Sequence, residues 1–441
     1  MDWIGSLAFL VPLGILGVIR WTSWLIRRLP AVLYRSVEND HREPLSIVVP
    51  VYQEDPQTFR YALESWLRND VEEIILVIDH TDRTCIDIAS EYPVRVIVTP
   101  VPGKRPALKT GWEATSTPLV ALVDSDTIWA SDVAQLVCMP FADPKVGGVA
   151  TRQNVANPRT PWQHLNDMYL DYRYFDEVAA QTVRGRAISC ISGRTAVYRR
   201  ELLLRHADRF MNETFLGVRC MSGDDKRLTT LILEGGHLTV LQRSARVWSS
   251  FPPDALGFVK QRLRWSRNTW RSDLRALKDG WVWHHPFLAF SMIDKAVSSF
   301  TLLVSPTIMV LALIAGNELV AGLLGAWWLL SRSAKMLPHL ERRPRHAVTM
   351  MPLFIVTSFV MALVKISALF TIRRQRWLTR DVEVSARTGE VERSGRNGSV
   401  PSPTSVAAAL PPPPPPRAPA ALPPLPPPRE HPDLFAWKGK R

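Results

Sequence analysis

Pro118–Asp126, PLVALVDSD, is the stretch on which the fold turns: an apolar run ends abruptly in two carboxylates separated by one serine. A short β-branched run bounded by turn residues marks a strand buried on both faces. Acidic residues at its carboxyl end lie where an open α/β sheet keeps its ligands. Working outward, similar runs precede it: SIVVPVY (46–52), EIILVID (73–79) and VRVIVTP (94–100). Most are followed by an amphipathic stretch, so Leu45 to Trp248 reads as an α/β domain with a mainly parallel sheet. Ser131 is the expected cap of the helix after the fourth strand.

The rest of the 441 residues surrounds that domain with apolar and basic segments. Trp3 to Ile26 is apolar over about the length that crosses a bilayer, is interrupted by Arg20 and is followed by Arg27 and Arg28. It reads as a retained anchor rather than a cleaved signal, with the chain continuing in the cytosol. Leu256 to Trp281 carries an apolar stripe at helical spacing, with Lys260, Arg262, Arg264, Arg267, Arg271, Arg275 and Lys278 between. This is the pattern of a helix lying in the headgroup layer. Phe287–Ala315, Leu319–Leu330 and Val348–Phe370 follow as membrane segments, the last flanked by basic residues on both sides and therefore expected to re-enter or turn back. The expected divisions are 1–28, an N-terminal transmembrane helix; 29–253, the catalytic domain; 254–285, interfacial helices; 286–371, a transmembrane or re-entrant channel region; and 372–380, a cytoplasmic motif. The remainder, 381–441, is a proline-rich tail that reads as disordered, with a proline-reading protein as a weaker candidate partner.

A net charge of +13 suits a nucleic acid, an anionic lipid surface or a phosphorylated substrate. Its excess clusters beside apolar runs and no nucleic-acid module is present, which selects the membrane and excludes nucleic acid. The four cysteines have neither CxxC spacing nor a nearby histidine cluster, arguing against zinc and a disulfide framework.

Chemistry falls to the acids and bases at strand and helix ends. Asp124 and Asp126 can hold a divalent cation that bridges a diphosphate, although aspartates also serve turns. Glu54 after the first strand and Asp79 after the second can form a pocket for a base and ribose; Asp79 reads equally well as a helix cap. Lys104 and Arg105 open a helix where cations and free amides meet phosphate. Asp224 and Asp225 start another, as a catalytic base or as a doubled acidic cap. Gln261, Arg264 and Trp265 in QRLRW offer an indole for a sugar ring and a cation for a departing diphosphate.

Taken in order, VVPVYQE, VID, GKR, DSD, SGRTAVYRR, SGDD, QRLRW and KISALFTIRRQRWLTR resemble the processive family 2 glycosyltransferases, most closely the hyaluronan synthases and related chitin and chitooligosaccharide synthases. The resemblance runs from Leu45 to Arg380. It implies a Rossmann-like GT-A catalytic domain in the cytoplasm, combined with α-helical transmembrane and interfacial helices, in a multi-pass protein of the cell membrane. By the same resemblance Asp79 contacts uridine, Lys104 and Arg105 the nucleotide side, and Asp124 with Asp126 the sugar nucleotide and its Mg2+ or Mn2+. Asp225 is the base, Gln261, Arg264 and Trp265 hold diphosphate and acceptor sugar, and Trp377 with Arg380 closes the site. Departures are IDHT in place of DGN, WLTR in place of WGTR, one apparent N-terminal span in place of two, and GDD where cellulose synthases carry TED; they leave the sugar open.

The expected activity is therefore inverting transfer from a UDP-sugar, UDP-N-acetylglucosamine first and UDP-glucuronate as a second donor, onto a growing polysaccharide beside the lipid bilayer. Single-sugar transfer to a lipid or short acceptor is the alternative, and a transporter or scaffold the non-enzymatic one. The enzymatic readings expect Asp126, Asp225 and Trp265 to face a common cavity.

Overall fold

The computed structural model describes residues 14–374, 382–384 and 391–393. Trp377, Arg380 and most of the proline-rich tail lie outside them, as does the start of the first apolar run.

The domain is built on an eight-stranded sheet of order β3-β2-β1-β4-β7-β6-β10-β5. Its first half is made of β1 (Leu45–Val51), β2 (Glu73–Asp79), β3 (Arg95–Thr99) and β4 (Leu119–Val123). All of these pair in parallel, β4 and β2 on either side of β1. The sheet is mixed rather than wholly parallel, because β7 (Thr195–Arg199) runs against β4 and β6 (Val146–Val155). Beyond β6, β10 (Leu238–Ser249) pairs in parallel and the short β5 (Ile128–Trp129) antiparallel. β8 (Thr214–Phe215) and β9 (Val218–Arg219) form a separate two-stranded ribbon.

Apolar runs become strands because both faces are covered. Val48, Ile75, Val77 and Leu122 enter one core layer with Trp112 and Phe210, whereas Ile47, Val49, Leu76 and Val123 enter the other with Phe59 and Trp66. The helices start where side chains satisfy their first amides. Asp55 accepts from Thr58 N ahead of α1 (Pro56–Leu67), and Asp82 from Cys85 N ahead of α2 (Arg83–Ser90). α3 (Lys104–Ala114) begins after Gly103, whose φ of 112° favours glycine. α3 crosses β1 so closely that a Cβ at Gly111 would lie 2.2 Å from Val48 Cγ1. Ser131 does not cap the next helix: the chain first forms β5, and Asp132 precedes Val133–Cys138 without a side-chain cap bond.

Further helices of the domain are α4 (Pro161–Tyr172), Val178–Gly185, α5 (Arg200–Met211) and α6 (Asp224–Glu234). α7 (Ala255–Asp279) then leads to the apolar helices. Its basic residues do not form the free, headgroup-facing side read from the sequence. Arg267 donates to Thr371 Oγ1 and Arg271 to the Ile372 carbonyl, both buried, whereas Leu256 is 61% exposed. Neighbouring carbonyls and hydroxyls receive these guanidinium groups, so the helix is wedged between the sheet domain and the apolar bundle.

Among the described residues, two helical stretches are long and apolar enough to cross a membrane, Pro286–Ile314 and Pro344–Phe370. The second is one continuous helix of 27 residues, not the re-entrant hairpin expected from its basic flanks, and no glycine interrupts it. Leu319–Leu330 lies within the helix Glu318–Lys335. The helix Leu16–Val32 aims Arg20 and Arg27 at Asp294, so the charges that interrupt two apolar runs satisfy one another. Within the tail, Val382–Val384 pairs with Val391–Arg393.

Candidate active site

Chain order reverses between β1 and β4, leaving a crevice beyond their carboxyl ends. Glu54 follows β1 and Asp124 follows β4, and Ser125 Oγ donates to Glu54 Oε2 across the gap at 2.6 Å. The cavity here measures about 320 Å³ and is lined by Glu54, Asp79, Lys104, Asp124, Asp126, Asp224, Gln261 and Arg264, among others. Six stretches far apart in sequence are thus brought together. At β2, Asp79 is 5% exposed and accepts from the Thr81 amide and hydroxyl at 3.0 and 2.6 Å; it forms a turn, and Asp82 is the helix cap.

Lys104 stands at the centre. Its Nζ lies 2.6 Å from Asp124 Oδ1 and 2.9 Å from Asp224 Oδ2, joining the β4 end to the start of α6. Gly193 passes beside it, where a Cβ would stand 3.0 Å from Nζ and press on the ammonium.

The carboxylates divide electrostatically. Burial, the largest influence, pushes Asp126 up to about 6; Asp124 and Glu54 add to this, and Arg194 and the Ser250 amide oppose it. Burial also raises Asp224, yet the charge and hydrogen bond of Lys104 override it and hold this group below the ordinary carboxylate range. Asp225 goes the other way, raised first by burial and then by Asp224, with Lys104 opposing. Adjacent carboxylates driven apart suit one to remain a fixed anion and the other to exchange a proton.

α7 supplies the far wall, its first turn capped by Asp254, which accepts from Gly257 N at 2.9 Å. Gln261 is 8% exposed, and among the described residues its buried Oε1 has no hydrogen-bond partner, nor has Arg264 Nε. Burial lowers the Arg264 pKa, and the charges of Asp224 and Asp225 oppose that. Buried polar atoms without protein partners at a cleft wall are placed to bond water or a polar ligand.

Not every expected residue converges. Arg105 turns away, donating to the Phe210 carbonyl at 2.7 Å and to Glu213 at 2.5 Å, and is 4% exposed. Asp225 lines a narrow recess beside the main cleft, which shares Lys104, Asp124 and Asp224 with it. Trp265 packs behind the cleft wall, edge-on to Phe251 with centroids 6.5 Å apart. The common cavity expected for Asp126, Asp225 and Trp265 is therefore divided: Asp126 faces the cleft, Asp225 the recess, and the indole lines neither. Residues unassigned from sequence also line the cleft: Tyr52, Ser222, Ser250 and Arg194. The Gly-Arg step before β7 was the available signal for Arg194, inside the quoted SGRTAVYRR but without a role.

The family model "Glycosyltransferase like family 2" matches residues 41–268. A hyaluronan synthase of Streptococcus pyogenes serotype M3 is 30% identical over 307 residues, which are 66% of this chain and 72% of that one. A type 2 glycosyltransferase of Gibberella zeae is 25% identical over 392 residues, 83% of this chain and 73% of the relative. Among solved structures, a mannosyltransferase from Pyrobaculum calidifontis in complex with GDP-Man and Mn2+ superposes with a TM-score of 0.59 at 19% identity. That match covers 84% of this chain and 98% of the other.

Proposed function

The chain belongs to glycosyltransferase family 2 and is a glycosyltransferase, and from that premise we propose that it polymerises sugar from a UDP-sugar into a β-linked polysaccharide, with inversion, at the cell membrane. The donor in this reading is UDP-N-acetylglucosamine, alone or together with UDP-glucuronate. The observation that carries it is the convergence of Asp79, Lys104, Asp124, Asp126, Gln261 and Arg264 on one cleft.

Asp79 takes the uridine end, and Lys104 and Arg264 meet the diphosphate. Among the described residues no group of three or more His, Cys, Asp or Glu side chains is placed to hold a metal. The carboxylates present fit an ion that arrives with its phosphates, since magnesium and its like bind through one or two carboxylates plus substrate oxygens. Asp126, with Asp124, would hold Mg2+ or Mn2+ in that way, and such an ion neutralises charge on the leaving diphosphate. Asp225 takes the proton of the acceptor hydroxyl; that oxygen bonds to the sugar's anomeric carbon from the side opposite the diphosphate, whose bond to the same carbon breaks to release UDP. Asp224 stays ionised on Lys104. Pro286–Ile314 and Pro344–Phe370, long and apolar enough to span a bilayer, support a multi-pass protein; in this reading the catalytic domain is cytoplasmic and the polymer leaves beside it.

The likeness to a mannosyltransferase over nearly all of that chain favours a second reading, transfer of one sugar to a lipid or short acceptor. Product length separates them. Membranes containing the full chain are supplied with labelled UDP-N-acetylglucosamine, UDP-glucuronate and UDP-glucose, singly and in pairs, and the products are digested with chitinase, hyaluronidase or cellulase. Polymer sensitive to one of these enzymes is expected; single-sugar adducts alone would overturn polymerisation.

A further inference from the structure

Arg271 on α7 is buried and lines neither the cleft nor the recess. It stands where two faces of that helix meet. Along one face, Arg267 Nε donates to Thr371 Oγ1 at 3.0 Å, Trp270 Nε1 to the Lys365 carbonyl at 2.8 Å and Arg271 Nη1 to the Ile372 carbonyl at 3.1 Å. Residues three and four apart share a helix face, so these bonds together seat α7 on the carboxyl end of the apolar helix Pro344–Phe370. Along the other face, Arg271 Nη2 donates to Ser222 Oγ at 3.2 Å and to Asn268 Oδ1, and Ser222 Oγ donates to that same amide oxygen at 2.8 Å.

Ser222 belongs to the loop that leads into the paired acids. Gly223 follows with a φ of 85°, and a Cβ there would stand 3.0 Å from Asn268 Cγ, so the loop backbone lies directly on α7. Asp224 and Asp225 come next, and Lys226 then pairs with Asp273 of α7 at 2.7 Å. The first turn of α6 is thus fixed to α7 on both sides of the acids, by Asn268 and Arg271 before them and by Asp273 after them. Arg271 takes part in both sets of contacts, one terminal nitrogen turned to the apolar helix and the other to the loop. The oxygens it meets are neutral, and its charge strengthens each bond. A lysine ammonium, a point donor on a flexible stem, does not span the same two sides.

We propose that Arg271 is a positioning residue for Asp225: its fork holds the acid-bearing turn of α6 in register with the carboxyl end of the helix Pro344–Phe370, so that the seating of this helix sets where the base stands. The proposal rests on the reading of Asp225 as the base. A general base must come within hydrogen-bond reach of the acceptor hydroxyl, and a misplacement of about 1 Å caused from outside the site can cost about 100-fold in rate.

The test measures kcat and donor KM for UDP release by the purified full-length protein as wild type, Arg271→Met, Asp225→Asn and the double variant. Arg271→Met is expected to lower kcat by about 10- to 100-fold and to leave the donor KM within about threefold of wild type. In the Asp225→Asn background the same change is expected to cost less than about threefold, because a base that is absent cannot be displaced. Arg271→Lys keeps the charge but loses the fork, and its kcat is expected to stay at least about fivefold below wild type. Should Arg271→Met fail to accumulate, Asn268→Ala takes its place, since it removes the oxygen that joins Ser222 to Arg271, and the same dependence on Asp225 is expected. Equal fold-losses in the two backgrounds, a rise in donor KM that accounts for the loss, or full recovery by lysine overturns the proposal and leaves Asp225 as the base. A wild-type kcat in Asp225→Asn overturns the base reading and the proposal with it.

Discussion

Lys104 and Asp224 form a half-buried ion pair, Nζ to Oδ2 2.9 Å, that ties the first turn of α3 to the first turn of α6. The same ammonium reaches Asp124 at 2.6 Å, so one side chain joins the end of β4 to the start of α6. Lys104 lowers the proton affinity of Asp225 as well, and in the proposed reaction this would link donor binding to the readiness of the base.

Removal of that ammonium is expected to move the acid limb of the kcat/KM pH profile. Asp225 titrates above the ordinary carboxylate range, and activity falls as the pH drops through its value. In Lys104→Met the opposing charge is gone, so the limb shifts to higher pH; Lys104→Arg restores part of the shift. A limb that stays in place while activity falls would reduce Lys104 to a donor-binding residue.

Asp225→Asn is expected to cut the rate of UDP release by about 100- to 10,000-fold, the usual contribution of a general base. Donor affinity, measured by titration with UDP-sugar and Mn2+, stays close to wild type. Equal losses in binding and rate would assign Asp225 to donor recognition.

Asp126 predicts how stability depends on pH. Its folded value of about 6 lies above the ordinary 3.8, so its contribution to folding is full below the ordinary value and lost as pH rises through about 6. Protein stripped of divalent cations should therefore gain thermal stability from this group as pH falls from about 7 to about 5, and Asp126→Asn should flatten that part of the profile. An identical slope in the variant would count against it.

Arg105→Met separates packing from binding. Its guanidinium is held by Phe210 and Glu213, so removal takes one partner from a buried carboxylate that Arg275 still pairs, and costs about 1 to 3 kcal/mol of stability. Denaturant unfolding should show that loss, while KM for the donor changes little. A large rise in KM without destabilisation would return Arg105 to the nucleotide, where sequence reasoning placed it.

Sequence alone determined the strands at Leu45–Val51, Glu73–Asp79 and Leu119–Val123, and with them the positions of Glu54, Asp79 and Asp124, because doubly buried strands must be apolar and charge can return only where they end. The same reasoning found Lys104, Asp224 and Gln261 through local motifs, and all three line the cleft. It could not tell Lys104 from Arg105: neighbours on a helix point in different directions, and only the packing of α3 against α5 decides which faces the cleft. Tertiary structure alone decided that Arg267 and Arg271 are buried in protein rather than spread on lipid, that Arg20 and Arg27 answer Asp294 far along the chain, and that Asp225 and Trp265 stand apart from the main cavity. The physical reason is range: strand and helix formation follow local periodicity, whereas the partner of a charge is set by which distant surfaces pack together.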